Sequence, residues 1–140
     1  MDTLIKQIGS ANEKNIEELI EETKDWNQKL QIISVHLTFM DQLISADIFQ
    51  KNIPNIFENL FTFSKSLTVL KTEKIDLHQT ISNHKIDITG MMECEDISCE
   101  TFYYSQHQII ETRIRKFISN FNEYQTELFG FCTNKFRISN

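Results

Sequence analysis

With 140 residues, the chain is long enough for one domain with a real core, and 3 Gly and 1 Pro leave few interrupters of helices. A net charge of -6 argues against non-specific nucleic-acid binding and against an anionic membrane as partner, because both recruit cationic surfaces. No apolar run approaches the roughly 18 to 20 residues of a membrane span, and three cysteines, an odd number, fit a reduced cytoplasmic protein better than a disulfide scaffold.

The start, Met1-Asp2-Thr3-Leu4-Ile5-Lys6, has neither the basic segment nor the apolar core of a signal peptide, which again favours a cytoplasmic location. Residues 1 to 9 read as a short turn closed by Gly9. Ser10 to Glu13 has the spacing of a capping box, in which serine and glutamate satisfy each other's backbone amides. A first helix is therefore expected over 11–49. Its organising feature is a heptad seam: Ile16, Leu19, Thr23, Trp26, Leu30, Ile33, Leu37, Met40, Ile44 and Asp47 follow one another at alternating steps of 3 and 4.

The break falls at Gln50 to Asn55, where Asn52 or Asn55 is the expected N-cap and Glu58 completes a possible capping box. A second helix is expected over 54–92, with a seam running from Leu60 through Leu67, Leu70, Leu77, Ile81 and His84 to Met91. Gly90 is its candidate stop, although Met91 and Met92 could prolong it. Lys74 is the one charged seam residue mid-helix; it must snorkel, pair with a neighbouring helix, or yield its place to Ile75. After Glu93 to Ser98, with Asp96 or Ser98 as cap, a third helix is expected over 97–135. Its seam runs from Tyr103 and His107 to Leu128 and Phe131, unless Gly130 ends it sooner. Short connections make sequential helices antiparallel. The pattern thus predicts an all-α, antiparallel up-down-up three-helix bundle with long, coiled-coil-like helices, a single domain over 1–140.

Folding the chain about its turns sorts the side chains by height. Most of the phenylalanines collect at the end holding the first turn. Thr23, Trp26, His84, Tyr103 and His107 collect at the other. Phe49, Phe57, Phe61, Phe129 and Phe136 fall at or beside the greasy end, and an exposed apolar patch there is the expected protein interface, toward a second copy or another protein. The competing reading is a wider core stripe.

Candidate chemistry is sparse. His84 and His107 meet across the second turn, with Glu21, Glu22 and Asp25 at a similar height and Glu111 four residues after His107; two imidazoles plus a carboxylate, Glu22 first among them, are a possible zinc or iron set. No helix carries the H-x-x-x-H or E-x-x-H spacing that puts two ligands on one face, so a hydrogen-bonded histidine layer closed by Trp26 is the simpler reading. Cys94 and Cys99 lack the second pair of a zinc knuckle, and acidic neighbours disfavour a reactive thiolate. His36, followed by Leu37-Thr38-Phe39, lacks the space a phosphotransfer histidine needs. Cys132 reads as core. The basic run Arg113 to Lys116 reads as a solvated face. Motifs for phosphate, dinucleotide, esterase or metalloprotease chemistry are absent. No cofactor is expected. The sequence therefore points to a non-enzymatic interaction or regulatory protein that self-associates, with a metal- or small-ligand-binding bundle around His84 and His107 as the alternative.

Overall fold

The computed structural model describes residues 14–138, so the expected turn over 1–9 and the capping box at Ser10 to Glu13 lie outside the described residues. Three long helices follow: α1 (Ile16–Ser45), α2 (Ile56–Ile88), prolonged by a 3-10 turn (Thr89–Glu93), and α3 (Ile97–Cys132). The architecture is the expected all-α three-helix bundle. Cross-helix bonds set the directions. Asp41 meets Lys71 at 2.8 Å and Ser34 meets Lys74 at 3.2 Å; Asp76 meets Arg113 at 2.9 Å and the Phe63 carbonyl meets the Tyr124 hydroxyl at 2.8 Å. Numbers that rise on one helix fall on the next, so the path is up-down-up, with α1 and α3 parallel.

The inner faces follow the heptad seams closely. From α1, Leu19, Thr23, Trp26, Leu30, Ile33, Leu37, Met40 and Ile44 are buried. From α2 and α3 come Leu77, Ile81, Phe117 and Leu128, each with no exposed surface. Every such side chain contributes about 1.5 to 3 kcal/mol by leaving water. Lys74 keeps its seam position and donates to Ser34, while Ile75 stays exposed, so the seam does not slip. At the edges of α3 the burial differs from the expected seam: Tyr104 is buried in place of Tyr103, and Phe131 is only partly buried beside the buried Cys132. Tyr104 is drawn in because its hydroxyl donates to the Lys14 carbonyl. The Tyr103 hydroxyl instead lies over Gly90, where a Cβ would come within 2.8 Å of it.

The helix ends correct several expectations. Asn15 caps α1 by accepting from the Glu18 amide at 2.8 Å. α1 stops at Ser45 rather than near Phe49. Residues 46–50 leave the helix because a better partner exists: the Gln50 amide donates to the Lys135 carbonyl at 2.8 Å, and the Arg137 amide to the Ile48 carbonyl at 2.7 Å. Phe49 is consequently buried, its ring tilted against that of Phe136 with centroids 5.4 Å apart. Asp47, the last member of the expected seam, is exposed beyond the helix. Asn55 does precede α2, but in a left-handed conformation (φ 61°) with no side-chain cap bond. The second α-helix ends at Ile88, two residues before Gly90, and a 3-10 turn prolongs it through Met91 and Met92 to Glu93. Gly130 lies inside α3, and the left-handed Asn134 (φ 66°) turns the chain beyond its end. Asp96 caps α3 as expected, accepting from the Cys99 amide at 2.8 Å.

Candidate functional site

Each helix contributes one member to a polar layer in a largely apolar interior. The three heptad seams put Glu22 at the edge of the core on α1 and His84 and His107 inside it on α2 and α3. The two histidines are 4% and 3% exposed. Nε2 of His84 lies 2.9 Å from Nδ1 of His107, and Nε2 of His107 lies 2.9 Å from a carboxylate oxygen of Glu22. The other oxygen of Glu22 takes the Lys14 ammonium. An ionised Glu22 can only accept, so His107 donates through Nε2, and of the facing pair, His107 Nδ1 and His84 Nε2, one nitrogen donates to the other. The result is a polarised chain, Lys14–Glu22–His107–His84, crossing the bundle. The Trp26 ring packs on both imidazoles, with centroids 4.5 Å from His107 and 6.5 Å from His84.

Electrostatics follow from this packing. Burial, reinforced by the neighbouring His107, pushes His84 down to about 4, with Asp87 opposing weakly. Burial alone would raise the Glu22 carboxyl, but the hydrogen bonds and charges of Lys14 and His107 outweigh it and hold Glu22 below the ordinary carboxylate range. Lys14 is raised by the bond it donates to Glu22.

The expected set of His84, His107 and Glu22 does come together, but its atoms form a line. Both nitrogens of His107 and both oxygens of Glu22 are engaged, and Nε2 of His84 is turned to His107. Among the described residues, no group of three or more His, Cys, Asp or Glu side chains is arranged to hold a metal ion. Two clefts flank the layer. One of about 450 Å³ is bordered by Lys14, Tyr104, His107, Glu111 and Arg115, and one of about 230 Å³ by Asn83, His84, Asp87, Tyr103 and Gln106. Lys14 and Tyr104 join the site without any signal in the spacing of the sequence.

Cys94 and Cys99 are joined by a disulfide, with their Cα atoms 5.5 Å apart. This overturns the expectation of free thiols. The 3-10 turn and the first turn of α3 fold back on each other, bringing the two side chains within bonding reach whatever the parity of the cysteine count. Cys132 is a buried free thiol, as expected. His36 is exposed and bonded to Gln125 at 3.2 Å.

The expected interface residues divide. Phe49 is buried and unavailable. Phe57, Phe61, Phe129 and Phe136 are 58%, 62%, 42% and 40% exposed. Phe57 and Phe61 border a groove of about 380 Å³ floored by Ile44, Phe49 and Leu60, and the Lys65 ammonium lies 4.7 Å from the Phe61 ring centre. Ile48, Phe136, Arg137 and Ile138 line a second recess.

None of the helices in the described residues is long and apolar enough to cross a membrane. The chain matches no protein-family model, no curated protein and no solved structure. Its fold and class, an all-α three-helix bundle with a polar histidine layer and an aromatic end, therefore rest on the geometry alone.

Proposed function

We propose that this chain is a non-enzymatic interaction protein that self-associates and presents its aromatic end to a partner protein. The observation that carries this reading is the half-exposed set Phe57, Phe61, Phe129 and Phe136 at one end of the bundle. Large aromatic side chains left in water around shallow apolar grooves are the usual mark of a protein interface. The buried polar layer at the other end fits a structural role, fixing helix register at some cost in stability.

A photo-crosslinking side chain placed at Phe57, with a second variant carrying it at exposed Glu123, tests the reading in cells that express the protein. The expected result is a discrete adduct at position 57, of one identifiable mass, that is missing at position 123. Equal labelling at both positions would refute it.

A second reading, a small-ligand-binding bundle, draws support from the cleft of about 450 Å³ that opens beside His107. Thermal shift on adding zinc or small anions, lost in a His107→Gln variant, would favour that reading instead.

A further inference from the structure

The outer face of α1 departs from the pattern of a solvated helix. From Leu30 to Met40 the chain carries no Asp, Glu, Lys or Arg over eleven residues. Leu30, Ile33, Leu37 and Met40 account for the inner half of that stretch. On the opposite side of the same turns stand Ile32, Val35 and Phe39, 54%, 61% and 57% exposed. Their steps of 3 and 4 place them on one stripe, since 3.6 residues make a turn. Exposed Gln28 and Gln42 continue the stripe at either end, so Gln28, Ile32, Val35, Phe39 and Gln42 follow at steps of 4, 3, 4 and 3.

We infer that this stripe is the contact through which a second copy of the chain binds, antiparallel, about a two-fold axis beside Val35. The inference rests on the self-association proposed above and names its surface. Three observations select the occupant. First, the stripe reads nearly the same from either end: amide, large apolar, Val35, large apolar, amide, with each glutamine seven residues from Val35. An isologous interface needs a face that complements itself when reversed, and a face for an unrelated partner does not. Second, the ends of the stripe are amides, which donate and accept alike and so pair with their own kind; reversal sets Gln28 against Gln42 of the partner subunit. Third, the stripe holds no charge for a charged peptide to pair with, and an anionic membrane is disfavoured by the net charge of -6. In this arrangement Ile32 packs against Phe39 of the partner subunit, Val35 meets its own copy, and the two α1 dipoles oppose each other.

Val35 is exposed, so its substitution leaves the bundle core untouched. The experiment combines light scattering with oxidative crosslinking of single-cysteine substitutions on the full chain. The expected results are a wild-type dimer, a covalent dimer from Val35→Cys, and little crosslinking from Ile32→Cys alone. The Ile32→Cys/Phe39→Cys double variant should crosslink strongly. Val35→Lys, with unchanged helical circular dichroism, should raise the dimer dissociation constant by at least about tenfold. A monomeric wild type would overturn both this inference and the self-association it rests on. A wild-type dimer that survives Val35→Lys and gives no Val35→Cys crosslink would overturn this inference alone, placing the contact elsewhere. Crosslinking of Ile32→Cys alone as strong as that of Val35→Cys would refute the antiparallel geometry.

Discussion

Lowering the pH from 7 to 5 should destabilise this bundle through one side chain. His84 is neutral in its buried place, with a folded-state value of about 4 against an ordinary 6.5. Between those values the unfolded chain binds a proton at this position and the folded chain does not, so stability falls as the pH falls. Across that window the loss is about 2 kcal/mol by pH 5 and about 3 kcal/mol by pH 4. Glu22 acts in the same direction further down. Its lowered carboxyl contributes stability that is present above the ordinary carboxylate range and is lost as the pH falls through its folded value. Urea titrations followed by circular dichroism measure the effect: at typical slopes for a chain of this size, the midpoint should drop by about 1 M between pH 7 and pH 5. His84→Gln keeps a neutral hydrogen-bonding group toward His107 and removes the titration, so it should be less stable than wild type at pH 7 but flatter in its pH dependence. An unchanged wild-type midpoint, or a His84→Gln variant with the full shift, would refute the reasoning.

Reducing the Cys94–Cys99 disulfide opens a loop whose cysteines are five residues apart. On chain entropy the loss should be about 2 kcal/mol, read as a lower urea midpoint with a dithiol reductant present; identical midpoints would show that the staple contributes nothing. Gly130→Ala should raise stability by about 0.5 to 1 kcal/mol, because the residue lies inside α3 and an added Cβ meets nothing within 4 Å. Gly90→Ala should gain less than Gly130→Ala, since its Cβ would meet the Tyr103 hydroxyl at 2.8 Å and the ring tip must move aside; thermal melts of the pair measure the difference.

The parts of the fold legible in the sequence are those carried by period and local capping. The α1 seam from Leu19 to Ile44 and the Asp96 cap follow from spacing and side-chain chemistry alone. The meeting of Glu22, His84 and His107 is legible too, because folding two long helices about a short turn fixes the height of every residue on them. Residues 46–49 mislead because nothing in them breaks a helix; they leave it only because residues 135–137, some ninety positions away, offer backbone partners. The disulfide is hidden for a similar reason. Cysteine parity describes the whole chain, whereas the bond depends on how tightly the 3-10 turn meets α3. Lys14 has no seam position at all, and its role emerges only once the Glu22 carboxylate is seen to have a second oxygen to satisfy.

Heptad seams have a weakness that the ends of this molecule address. A seam repeats, so sliding one helix by seven residues, about 10 Å along its axis, still sets leucine against leucine. The parallel pair α1 and α3 is tied at both ends by contacts that do not repeat. At one end the Tyr104 hydroxyl reaches the Lys14 carbonyl, and at the other the backbone of residues 48–50 pairs with that of residues 135–137. A slip in either direction breaks both ties at once, so this pair behaves as a bolted frame rather than a sliding rail. Thermal opening should therefore begin with loss of one tie, and α1 should not creep along α3.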